Sequence, residues 1–303
     1  MTGSAPLAAT ADSLRSARSF SVAVLNTALA GPRLIARDPS AIAAWVVLWF
    51  LGSVFVAALL LFGGGVRDLA NHPTLSAKFG PFAIVSISVF LLIWAATMVA
   101  VFRLALQPDH RRFFYLDLGA DELRFAVMTL SAFLIVGAFA GAPTFLLFAV
   151  ASPFLQAAPM LAKEIGAVGA LCTIAVDLWV GVRLSLIAVE SFAEGRFHLT
   201  AYWPLTRGRF WYLLAVYAVC VLMILGLALV LGVIGTGFAS AQAIIGPPHG
   251  SDPGRRVALW ALAAGYALMN SVFWVGSTTL VCASQAHAFR AITSISTTRR
   301  PHL

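Results

Sequence analysis

Charge is what this chain has least of. Only 11% of its 303 residues are Asp, Glu, Lys or Arg, where a soluble domain carries about a quarter. Cysteine is sparse as well. Cys172, Cys220 and Cys282 form no C-x-x-C pair and no disulfide framework, so each is read as a small apolar residue. His72, His110, His198, His249, His287 and His302 fall one to a segment without ligand spacing, and no metal or other cofactor is expected. H-E-x-x-H, G-x-S-x-G, the phosphate-cradling G-x-x-x-x-G-K-[ST] and a helix-opening G-x-G-x-x-G are all missing. The paired acids Asp121 and Glu122 follow Gly119 where a helix re-enters the membrane, and are read as an amino-terminal cap and dipole partner. A non-enzymatic protein is the expectation.

Hydrocarbon, by contrast, is abundant: 60% of the residues are hydrophobic and the mean hydropathy is +0.91. A bilayer core about 30 Å thick needs roughly 20 apolar residues per helix. Six runs qualify, near residues 42–62, 82–103, 125–151, 165–187, 210–235 and 257–285. The expected fold class is all-α, a polytopic membrane bundle of six transmembrane helices with short interfacial amphipathic helices. Residues 1–40 would be a cytoplasmic amino-terminal segment, 41–290 the transmembrane domain and 291–303 a cytoplasmic tail. The first 40 residues are rich in Ser, Ala and Arg and lack a compact apolar core with a cleavage site, so the first span is expected to serve as the insertion signal.

Basic residues orient the bundle. Arg15, Arg18, Arg33, Arg37, Arg103, Arg111, Arg112, Arg124, Arg183, Arg196, Arg207, Arg209, Arg290, Arg299 and Arg300 fall on one side, and Arg67, Lys78, Lys163, Arg255 and Arg256 on the other. The positive-inside rule then puts both termini in the cytoplasm. A net charge of +8 suits attraction to anionic lipid headgroups, which makes a nucleic-acid partner unnecessary.

Before the first span, Leu14, Arg18, Val22, Leu25 and Leu29 recur at helical spacing and Gly31-Pro32 follows. That pattern predicts an interfacial helix broken at Gly31-Pro32. Two cytoplasmic connections resemble each other. Both 103–125 and 183–211 open with R-L-[AS]-L, pass an Arg-Phe pair and re-enter after a second Arg-Phe pair, with Arg103 and Arg183 standing 80 residues apart. A weak internal repeat of three hairpins is one reading, the third truncated at AHAFRAITSI; chance similarity of basic, aromatic loops is the other. Tyr115, Tyr202, Trp203, Trp211 and Tyr212 have the composition of an aromatic belt. The outer loop GPPHGSDPG (246–254) is rich in turn residues.

The connection ending L-G-A-D-E-L-R and the later run R-L-S-L…E-x-x-x-E-G-R-F…W-P-L-T-R-G-R-F-W carry a resemblance. The chain resembles bacterial integral membrane proteins related to the membrane domain of glycerophosphoryl diester phosphodiesterases, many of which have no assigned activity. The matching positions are Arg183, Glu190, Glu194, Gly195, Arg196, Thr206, Arg207, Gly208 and Arg209. The phosphodiesterase of that group is a separate soluble barrel, and no segment here suits one. The resemblance implies the membrane fold without the hydrolase.

The stretch VDLWVGVRLSLIAVE (176–190) sets charge inside hydrocarbon. Gly166, Ala170, Thr173, Asp177 and Gly181 share one face of the fourth span, a small-residue stripe expected to face protein. Arg183 lies about 120° around from Asp177 and about 9 Å along the axis, and instead shares a face with Trp179 and Glu190. An ionised Asp177 at the bilayer midplane would cost about 2.5–3.5 kcal/mol on insertion scales. Asn270 in the last span sits at similar depth, and a structural Asp177–Asn270 hydrogen bond is expected; a proton-coupling role for Asp177 and a misplaced span boundary are the alternatives. Gly137 and Gly141 with Pro143, and Gly232, Gly235 and Gly237, suggest helix contacts or bends, while Ser271, Ser277, Thr278 and Thr279 suit a buried last span.

Two functions follow as expectations. One is a membrane-organising or lipid-associated protein whose rim of Arg103, Arg111, Arg112, Arg183, Glu190, Glu194, Arg196, Arg207, Arg209, Trp203 and Trp211 meets anionic headgroups, with a protein partner or a second copy as further candidates. The other is a small proton-coupled carrier using Asp177.

Overall fold

The structure, a computed structural model, describes residues 19–62, 76–109, 113–116, 119, scattered positions between 123 and 152, 159–194, 206–245 and 253–298. Its helices are α1 (Ser19–Ala28), α2 (Ala30–Arg37), α3 (Pro39–Phe62), α4 (Ser76–Leu106), α5 (Pro159–Leu184), α6 (Ile187–Glu194), α7 (Phe210–Ile245) and α8 (Pro253–Thr298). A 3-10 turn occupies Phe113–Tyr115, and the described residues contain no strand. Pro39–Leu59, Ile84–Leu106, Lys163–Ala193, Phe210–Ile244 and Pro253–Ser294 are each long and apolar enough to cross a membrane. These are five of the six expected spans, and most of the remaining one, 125–151, lies outside the described residues. The chain is a multi-pass, all-α membrane protein.

Two span boundaries differ from expectation. The last helix runs unbroken through residue 290 to Thr298, so the expected tail begins as helix; its 46 residues span about 69 Å, twice the hydrocarbon thickness. The stretch 176–190 is not one straight helix. It turns at Ser185–Leu186, where the Ser185 hydroxyl donates to the Val182 carbonyl at 2.8 Å.

Residues 1–118 with 215–287 form one compact unit, and 119–214 with 288–303 a second. In the first, α3 and α4 are antiparallel neighbours. Trp49 Nε1 donates to Thr97 Oγ1 at 3.0 Å, and one turn further Gly52 makes room for the Ile93 side chain. Asp38 starts α3 in the manner its chemistry predicts: Oδ1 accepts from the Ala41 amide at 3.2 Å and the Ser40 hydroxyl at 2.6 Å, with Pro39 at the first helical position. On α8, Ser271, Thr278 and Thr279 are buried, whereas Ser277 is only half-buried. Ser271 and Thr279 donate to the carbonyls of Ala267 and Val275, four residues back, at 2.8 and 2.7 Å.

The amino-terminal segment corrects a further expectation. Gly31-Pro32 does not break the chain. The bend, 40°, lies between α1 and α2 at Leu29, and Pro32 sits in the first turn of α2, where its lack of an N–H costs little. Gly31 is there for contact, since a Cβ on it would lie 2.7 Å from the Leu280 Cα.

In the second unit, buried Met128 packs with Val180, Leu184 and Ile187, and Ile135 and Val176 flank them. The packed face of α5 is this branched, bulky one. Of the small-residue stripe, Thr173 and Asp177 are partly buried, while Gly166 and Gly181 have no described residue within 4 Å of where a Cβ would stand, and the same holds for Gly137. Small residues do admit neighbours elsewhere, Gly265 meeting Phe238, Gly276 meeting Leu227 and Gly235 meeting Met269, whereas Gly232 and Gly237 meet nothing among the described residues.

Candidate functional site

Two polar constructions stand where a span gives way to a connection. In the first unit, α4 ends with Arg103 and the chain turns back through Gln107–Asp109 to the 3-10 turn. Phe114 and Tyr115 both take left-handed conformations, φ 56° and 65°, which cost a non-glycine residue about 1–2 kcal/mol each. The turn is held at both carbonyls. Trp45 Nε1 donates to the Phe114 carbonyl at 3.0 Å, and Arg103 Nη1 to the Tyr115 carbonyl at 3.3 Å. The Tyr115 ring is buried, and its hydroxyl donates to the Pro108 carbonyl at 3.3 Å. Phe114 is thereby turned outward, 46% exposed.

In the second unit, α5 ends with Arg183. Its guanidinium lies 5.8 Å from the Trp179 ring centroid, the i−4 contact expected from the sequence, and Nη1 donates to the Thr206 hydroxyl at 3.2 Å. Thr206 is fully buried and opens the turn Thr206–Arg209. The Arg209 amide donates to the Thr206 carbonyl at 3.2 Å, and Gly208 at φ 78° fills the third position, which a type II turn requires to be left-handed. Arg209 then caps α7, its carbonyl accepting from the Leu213 amide, while its Nη1 donates to the Ile292 carbonyl at 3.5 Å. Glu190, on α6, is 7% exposed. Arg207 and Trp211 point away from this framework, Trp211 being 74% exposed and stacked edge-on with Phe210.

The expected rim thus divides by role. Arg103, Arg183 and Arg209 bind their own protein, Glu190 is buried, and Arg207 and Trp211 are exposed. Arg111, Arg112, Arg196 and Trp203, with the Glu194 side chain, lie outside the described residues, as do Asp121 and Glu122. Sequence reasoning missed Trp45, although an indole N–H inside an apolar helix always needs an acceptor and so signals one.

Asp177 sits partly buried on α5. Its Oδ1 is buried with no hydrogen-bond partner among the described residues, and Asn270 belongs to the other unit. Groups of three or more metal-ligating side chains are absent among the described residues. No protein family, no curated protein and no solved structure matches the chain.

Proposed function

We propose that the chain is a non-catalytic, lipid-associated protein of the bacterial inner membrane, with both termini cytoplasmic, that engages anionic headgroups through the outward side chains of its connection turns. One observation carries this reading. At the end of α5 the half-buried Arg183 holds the next turn through Thr206, and Arg207 in that turn and Trp211 at the start of α7 stay exposed. A cation beside a half-immersed indole matches a phosphate lying just above acyl chains. The end of α4 repeats the arrangement with Arg103 inside and Phe114 outside. Native mass spectrometry tests it. Wild type is expected to retain phosphatidylglycerol through detergent exchange and the double variant Arg207→Gln, Trp211→Ala to retain less; equal retention contradicts the reading.

A second reading rests on Asp177, a carboxyl within a long apolar helix whose Oδ1 is buried with no hydrogen-bond partner among the described residues. A small proton-coupled carrier would show solute flux in proteoliposomes that Asp177→Asn abolishes. Flux unchanged by that substitution removes it.

A further inference from the structure

We propose that α1 and α2 lie together in the plane of one lipid leaflet, beside α8, with an apolar edge in the acyl chains and a basic edge at anionic headgroups. This surface shares no residue with Arg207 and Trp211. Residues 19–37 are apolar and, at about 28 Å, long enough to be counted as a sixth crossing. The faces of the helix pair decide between the two placements.

Three faces run through the bend. The Leu29 amide donates to the Leu25 carbonyl at 2.9 Å and the Arg33 amide to the Leu29 carbonyl at 3.2 Å, so the helical phase carries from α1 into α2. At about 100° per residue, Val24, Thr27, Ala28, Gly31 and Leu34 fall within about 120° of arc, and all are buried. This is the protein face: Gly31 abuts Leu280, the Ala28 carbonyl lies 3.3 Å from Ser284 Oγ, and Thr27 Oγ1 lies 3.2 Å from His287 Nδ1. Among the exposed residues, Leu25, Ala36, Leu29 and Val22 occupy about 60° of arc, and Arg33, Asn26 and Arg37 the next 40° or about that.

A crossing helix on the side of a bundle has two surroundings, protein and hydrocarbon, and gives a polar edge at its middle no place. An in-plane helix has three, with protein beside it, acyl chains beneath, and headgroups and water above. Arg33 discriminates. Its guanidinium does not extend past Arg37, the nearer end, but turns back toward the middle of 19–37, Nη2 donating to Asn26 Oδ1 at 3.1 Å and Nη1 to the Asn26 carbonyl at 3.5 Å. In a crossing helix this would hold a cation near mid-span, away from the interface to which arginines snorkel. At the leaflet surface the same contact keeps it level with the headgroups. Residues 19–37 include two arginines and no acidic residue, so the polar edge is complementary to phosphate.

The test uses the full chain in liposomes of phosphatidylcholine and phosphatidylglycerol, with exposed Cys172 replaced by Ala and the buried Cys220 and Cys282 kept. Nitroxide labels go one at a time on A23C, L25C and A36C, all exposed positions, and report collisions with oxygen in the acyl chains and with a water-soluble nickel chelate. Ala23 continues the polar edge beyond Arg37, and is about 160° around from Leu25 although only two positions away. The expected result is that Leu25 and Ala36 collide mainly with oxygen and Ala23 mainly with the chelate. Shielding of both Ala23 and Leu25 from the chelate would mean a crossing helix, and chelate access at all three positions a helix in water; either overturns the proposal. The headgroup edge is tested by native mass spectrometry in the Arg207→Gln, Trp211→Ala background, where Arg33→Gln with Arg37→Gln is expected to lower phosphatidylglycerol retention several-fold further. Retention unchanged by that second pair overturns the basic edge and leaves the Arg207 and Trp211 reading untouched.

Discussion

Ser284 Oγ lies 3.3 Å from the carbonyl oxygen of Ala28, 256 residues away in the chain. That carbonyl needs an outside donor because the residue four positions on is Pro32. The same hydroxyl lies 2.8 Å from the Leu280 carbonyl and accepts from the Cys220 thiol at 3.3 Å, so its proton is shared between two carbonyls. Three helices, α1, α7 and α8, meet at one small side chain.

Ser284→Ala is therefore expected to lower stability by about 1 kcal/mol, above the roughly 0.6 kcal/mol average for interhelical hydrogen bonds in membranes. Thermal unfolding in detergent measures it. Ser277→Ala, whose hydroxyl bonds only within its own helix, is the control and should cost less. Equal costs would mean that the Ala28 contact contributes nothing.

Gly31→Ala places a methyl against the Leu280 backbone, which cannot swing aside as a side chain would. A loss of about 1–3 kcal/mol is expected, as for overpacked cores. Gly232→Ala, with open space around it, should be neutral or slightly stabilising because alanine favours helix. The two melting curves distinguish contact from mere helix propensity.

At the start of α7, Gly208→Ala forces an L side chain to φ 78° and should cost about 1 kcal/mol. Thr206→Val removes the acceptor of Arg183 Nη1 while keeping shape, with an expected loss of about 1–3 kcal/mol. Unchanged melting in both variants would show that the turn is not a framework at all.

Trp45→Phe keeps an aromatic ring at this buried position and deletes the N–H that holds the Phe114 carbonyl. With two adjacent left-handed residues to restrain, the turn should open more often. Amide hydrogen exchange over residues 107–116 should rise by several-fold while α3 and α4 keep their protection; no change would place the restraint on Arg103 alone.

The class of fold was legible because hydrocarbon length leaves few alternatives: a run such as 42–62 has to be a helix in lipid, and α3 is one. The Arg183–Trp179 pair was legible from spacing alone. What periodicity does not name is the occupant opposite a face. Gly166, Ala170, Thr173, Asp177 and Gly181 do share a helix face, yet among the described residues the core on α5 is built by Val180 and Leu184, whose larger side chains pack with Met128. Gly31-Pro32 reads as a break by local rules and becomes part of a helix because two distant groups, Leu280 and Ser284, supply the space and the donor. The turn at Ser185 has no glycine or proline to announce it.

The central claim is that the outward Arg207 and Trp211 meet anionic headgroups, and the most direct measurement is the melting temperature in nanodiscs as phosphatidylglycerol replaces phosphatidylcholine, at low and high salt. The account predicts that wild type gains stability with phosphatidylglycerol, that the gain shrinks at high salt as the Debye length falls, and that Arg207→Gln with Trp211→Ala removes most of it. A melting temperature indifferent to headgroup charge, or a gain untouched by the double substitution, would contradict it.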